Sequence, residues 1–334
     1  MQVPDKILKI LVIPHFALLS FIFGMMLLAF PFGVYVVFHT DIGTDINFQY
    51  PLNDLDIFKK TNFQIPFDLV LGDAFIALWC IYVILFSIAM IGPDKDFFKI
   101  ITSNFNHEKL DSKLDSKLNY MIIITKWFSI LIFISIMIDF IQQQFGIITI
   151  APTSENNLIQ FLYVSISPLV EEFGFRIILI GLPLFAFYSH KLSVKHFFNS
   201  LWNPNCNLVI YDLRKTMVLI ILVGIFFGLA HIMSSESWSG GKFAQATASG
   251  IILGWLYVRF GIIVSILVHW GTNYFIFSYA NFISQINGIT IENVFSNSFM
   301  NSIEILFLVS GVFSVILMLI TYFNSKNNSK LAIQ

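Results

Sequence analysis

Cysteine is nearly absent from this chain, with two in 334 residues. Cys80 lies in an apolar run and Cys206 in a polar loop, a poor pair for a disulfide, so redox compartment is left open. Charge is also scarce. Charged residues make up 12% of the chain and hydrophobic residues 57%, where soluble domains carry about 25% and about 45–50%. The mean hydropathy is +0.78. These values exclude an ordinary soluble domain. The short alternating segments of a β-barrel are absent as well. So are a His-Glu-x-x-His metal pair, a domain-sized repeat and a low-complexity linker. The formal net charge of −1 does not select nucleic acid, and no nucleic-acid partner is expected.

What the sequence has is long apolar runs. A bilayer span takes about 20 mostly apolar residues. Runs at 10–38, 67–92, 120–142, 158–188, 216–234, 243–258, 262–284 and 300–323 meet this need. The fold class is therefore all-α, a multi-pass transmembrane bundle of about eight helices. The first run follows Lys6 and Lys9 and lacks a small-residue cleavage pattern, so it reads as a retained span. With the N-terminus inside, the outer segments hold only Lys59, Lys60 and Lys242, while Lys126 and Arg176 lie within spans. The remaining Lys and Arg fall inside, which places both termini in the cytoplasm. The repeat "KLDSKLDSKL" sets Leu110, Leu114 and Leu118 on one face, as in an interfacial amphipathic helix. Three regions are expected: a three-helix membrane region over 1–150, a core over 151–290, and a last helix and tail over 291–334.

An ionisable residue within a span points to function by default. His15, Asp73 and Asp139 lie near span ends and read as structural or interfacial. The fourth run differs, because "EEFGFR" (171–176) sits roughly 20 Å from either end of its helix. Glu172 and Arg176 are four apart and can pair on one face. Glu171 points about 100° away with no local partner. The fifth run carries "FGLAH" (227–231), with Phe227 and His231 on one face. The seventh carries "HWGTN" (269–273), with His269 and Asn273 also four apart. A carboxylate with an imidazole can activate water. A second imidazole and an amide can donate to a developing oxyanion. The same set suits peptide hydrolysis, while Glu171, His231 and His269 are also zinc ligand types.

These three segments, in this order, resemble the EExxxR, FxxxH and HxxxN signatures of the CAAX protease and bacteriocin-processing family of intramembrane proteases. That family includes the type II CAAX prenyl endopeptidases. The resemblance covers roughly 155–285. It implies Glu171 as general base with His231 as its partner, and His269 and Asn273 as oxyanion donors. Glu172, Arg176 and Phe227 become supporting residues, with Arg176 also a candidate for meeting a substrate carboxylate. It implies an integral protein of a prokaryotic cell membrane, in contact with lipid and acting on a peptide or prenylated protein. Cofactors are none under a glutamate-type mechanism, with Zn²⁺ as the alternative. Two other functions compete. A transporter or proton relay predicts an inverted repeat, which the sequence lacks, and an intact Glu/His/His/Asn set argues against an inert scaffold. One conflict stands at this level. His231 lies about three residues from the outer end of its run, whereas Glu171 lies near mid-membrane.

Overall fold

A computed structural model of the chain describes residues 5–39, 46–55, 59, 66–92, 97, 119–150, 156–233 and 238–331. The repeat at 109–118 lies outside the described residues. Those described are almost wholly helical. The main helices are α1 (Asp5–His39), α2 (Leu71–Ile91), α3 (Tyr120–Gln144), α4 (Asn157–Glu172), α5 (Leu182–Tyr188), α6 (Val194–Trp202), α7 (Leu213–Met233), α8 (Lys242–Phe260), α9 (Ile262–Trp270), α10 (Ile276–Asn287) and α11 (Ser298–Leu331). A π-helical stretch, Phe173–Gly181, joins α4 to α5, and another, Gly271–Phe275, joins α9 to α10.

Among the described residues, six helical segments are long and apolar enough to cross a membrane: Ile10–His39, Leu71–Ile91, Tyr120–Gln144, Leu213–Met233, Ile262–Asn287 and Ser298–Asn324. The other two expected spans are helical but differ in kind. The fourth is divided by its π-helical centre. In the sixth, α8 carries Gln245, Thr247, Ser249, Gly250 and Gly254. These small and polar residues suit a helix enclosed by neighbours rather than by lipid.

The α7 helix shows how sequence sets this packing. Val218, Leu222 and Phe226 are exposed, as lipid-facing side chains are. Ile220, Val223, Gly224, Phe227 and Gly228 are buried. Gly224 lets α8 come so close that an added Cβ would stand 2.5 Å from Ile251 Cγ1. Before α7, the backbone N–H of Lys215 donates to the exposed Asp212 carboxylate at 3.1 Å and holds its pKa below the usual carboxylate range.

The three polar residues near span ends, expected to be structural or interfacial, each engage a hydrogen bond. His15 Nε2 lies 2.8 Å from Ser314 Oγ and ties α1 to α11. Asp73 accepts the Val70 N–H at 3.0 Å at the start of α2. Asp139 accepts from Gln143 Nε2 at 2.6 Å.

Aromatic packing fixes the α9–α10 segment against the first two helices. Trp270 is fully buried, stacks on Phe30 at 5.4 Å and meets Phe86 edge-on at 4.8 Å. Trp79 Nε1 donates to Tyr274 Oη at 2.8 Å. The two residues that flank this anchor, His269 and Gly271, are thereby held in place.

Candidate active site

The fourth run turns π-helical immediately after Glu172. Such stretches are rare and often accompany functional sites. Pro168, within α4, has no N–H for the carbonyl of Val164. Glu171 and Glu172 thus sit between two departures from regular helix.

The two glutamates have opposite surroundings. The Glu172 side chain is 0% exposed and that of Glu171 is 26% exposed. Glu172 accepts from Arg176 Nε at 3.0 Å, as the spacing predicted. It also accepts from Ser265 Oγ and lies 2.9 Å from His269 Nδ1. Three donors on one buried carboxylate are what desolvation of that charge demands. Glu171 Oε2 has no hydrogen-bond partner among the described residues. The neighbour it faces is His269, whose Nε2 stands 3.8 Å away. His269 therefore lies between the two glutamates.

Arg176 is also fully buried. Its Nε serves Glu172, while Nη1 and Nη2 have no partner among the described residues. The guanidinium carbon lies 5.0 Å from the centroid of the Phe227 ring, an arrangement in which the ring face attracts a cation. Phe227 also contacts His231 at 4.5 Å and His269 at 6.0 Å between ring centroids. One phenyl ring thus touches side chains from all three motifs.

His231 Nδ1 lies 2.9 Å from the Phe227 carbonyl oxygen. A carbonyl only accepts, so Nδ1 carries the proton and Nε2 of the neutral ring is an acceptor. Glu171 and His269 are within electrostatic reach of this ring. The α7 helix is described as far as Met233. His231 stands one turn beyond Phe227 on that helix, and the Phe227 ring lies against both His231 and Arg176. No hydrogen bond joins His231 to Glu171 among the described residues, and His269 takes the nearer place.

Asn273 lies in the second π-helical stretch. Its Nδ2 donates to Ser167 Oγ at 2.8 Å, and its Oδ1 accepts from Thr272 Oγ1 at 3.3 Å. Two site residues were missed at the sequence level. Ser265 precedes His269 by four, and Ser167 precedes Glu171 by four. The same i, i+4 spacing that marked the other pairs would have found both.

Both imidazoles turn Nδ1 toward a fixed oxygen, and Nε2 of His269 faces Glu171, an orientation also common in metal-binding histidines. As arranged, however, no three His, Cys, Asp or Glu side chains among the described residues are gathered to hold a metal ion. Glu171, His231 and His269 do not form such a set, and no step below passes through a metal.

Residues 153–275 match the family model described as type II CAAX prenyl endopeptidase Rce1-like. Neither the curated proteins nor the solved structures yield a match. The matched segment contains all three motifs, and over it the chain is similar to the type II CAAX prenyl endopeptidases.

Proposed function

We propose that the chain is an intramembrane endopeptidase that hydrolyses a peptide bond with water activated by Glu171, and that prenylated CaaX-type proteins are its substrate class. One observation carries this reading. The Glu171 side chain is partly open and its Oε2 has no hydrogen-bond partner among the described residues, whereas its neighbour Glu172 is buried and fully engaged. A general base needs a free oxygen within reach of its water.

The reaction balances as follows. Glu171 takes a proton from water as the oxygen attacks the carbonyl carbon. The C–N bond breaks, and the proton passes to the leaving nitrogen. Glu172 accepts the Nδ1–H of His269 and so orients Nε2 toward the space beside Glu171. When protonated, that Nε2 donates to the oxyanion together with the amide of Asn273. His231, with Nε2 unbonded, polarises or positions the water from one turn further out.

The Lys and Arg distribution supports a cell-membrane protein with both termini in the cytoplasm. The exposed apolar face of α7 supports contact with lipid. The experiment presents purified protein with a quenched fluorescent peptide ending in a farnesylated CaaX sequence, beside its unprenylated twin. Cleavage of the farnesylated peptide is expected to dominate. Equal cleavage of both would remove the prenyl specificity, and cleavage of neither would remove the protease reading for this substrate class.

A further inference from the structure

We propose that Ser167 is a positioning residue that sets the orientation of the Asn273 amide; the inference rests on the oxyanion reading of Asn273 given above. Ser167 is not part of any of the three motifs.

Pro168 interrupts the hydrogen-bond ladder of α4. It leaves the carbonyl of Val164 without its helical donor. The Ser167 hydroxyl turns to that carbonyl at 3.4 Å. A hydroxyl has one proton. With that proton directed at Val164, Ser167 Oγ offers only lone pairs to its other neighbour, which must then be a donor. The neighbour is Asn273 Nδ2, at 2.8 Å.

This selects one of the two ways an amide can face. Nδ2 is held toward α4, while Oδ1 lies 3.3 Å from Thr272 Oγ1, a hydroxyl that also meets the His269 carbonyl oxygen at 2.8 Å. An amide nitrogen has two hydrogens. Fixing one on Ser167 fixes the plane of the group and hence the direction of the other. The flipped amide would draw the Ser167 proton away from Val164 onto Oδ1 and present an oxygen to the developing oxyanion. Ser167 also lies one turn before Glu171 on the same helix, so it holds the amide donor at the turn next to the carboxylate.

The test is a mutant cycle on the purified full chain, using the farnesylated fluorogenic peptide and with thermal unfolding recorded for each variant. Ser167→Ala is expected to lower kcat about tenfold at unchanged KM, a fraction of the roughly 10²–10³-fold cost of deleting an oxyanion donor. Ser167→Thr keeps the hydroxyl and is expected to recover kcat to within about threefold of wild type. Ser167→Cys, close in volume but a weak acceptor, is expected to repeat the loss, which separates a lost hydrogen bond from a lost fold. The double variant Ser167→Ala/Asn273→Ala is expected to be no slower than Asn273→Ala alone, because Ser167 acts through Asn273. A wild-type kcat in Ser167→Ala, or losses that multiply in the double variant, would overturn the inference. If Asn273→Ala were itself fully active, the oxyanion reading would fall first.

Discussion

His269 Nδ1 lies 2.9 Å from Glu172 Oε1, a contact that joins helices whose residues are 97 positions apart in sequence. The same carboxylate holds Arg176 and Ser265. The charge at the centre of the bundle is thus a network, with one imidazole linking it to the open Glu171. Because Glu172 and Arg176 are both fully buried, the network should be sensitive to the loss of a single member.

Truncating Glu172 would leave the Arg176 cation buried and unpaired. Removing one partner of a buried ion pair costs about 3–5 kcal/mol. Glu172→Ala is therefore expected to lower the unfolding temperature markedly, and Glu172→Ala/Arg176→Met to recover part of the loss. Thermal unfolding in neutral detergent measures both. A Glu172→Ala protein as stable as wild type would mean that the pair is not buried as described.

The crossing of α7 and α8 gives a second expectation. A Cβ added at Gly228 would run into the Thr247 hydroxyl and approach the Phe243 carbonyl to 3.0 Å. Gly228→Ala should force the helices apart, with an overpacking cost of about 1–3 kcal/mol. Because Phe227 precedes this glycine and contacts His231, the variant should also lose proteolytic activity. Unchanged melting and unchanged activity together would show that the crossing is looser than the distances indicate.

Metal dependence offers a third. Activity after extended dialysis against a strong chelator should equal that of untreated protein if Glu171 and the imidazoles work without zinc. Loss of activity on dialysis, restored by stoichiometric Zn²⁺, would favour Glu171, His231 and His269 as ligands instead.

Much of this was legible in the sequence because the bilayer makes polar residues conspicuous. The Glu172–Arg176 pair followed from i, i+4 spacing, and the lack of a partner for Glu171 on its own helix followed from the 100° step between adjacent residues. The helical fold followed from apolar runs of span length. The π-helical turns were not legible, since nothing in "FGFRIILIG" or "GTNYF" distinguishes them from α-helix. Nor was the place of His269 between the glutamates, because spacing along one helix says nothing of which neighbour it meets. Ser167 and Ser265 were overlooked for a simpler reason. Serine satisfies itself on its own helix so often that it draws no attention in an apolar run.

The account rests finally on Glu171. The most direct measurement places wild type and Glu171→Gln in proteoliposomes with a farnesylated CaaX peptide and follows the released C-terminal fragment by mass spectrometry. The substitution keeps the shape of the side chain and removes its basicity. Wild type is expected to release the fragment, and Glu171→Gln to release it at least about 10³-fold more slowly while unfolding at a similar temperature. Release by Glu171→Gln at the wild-type rate would contradict the assignment of Glu171 as the base.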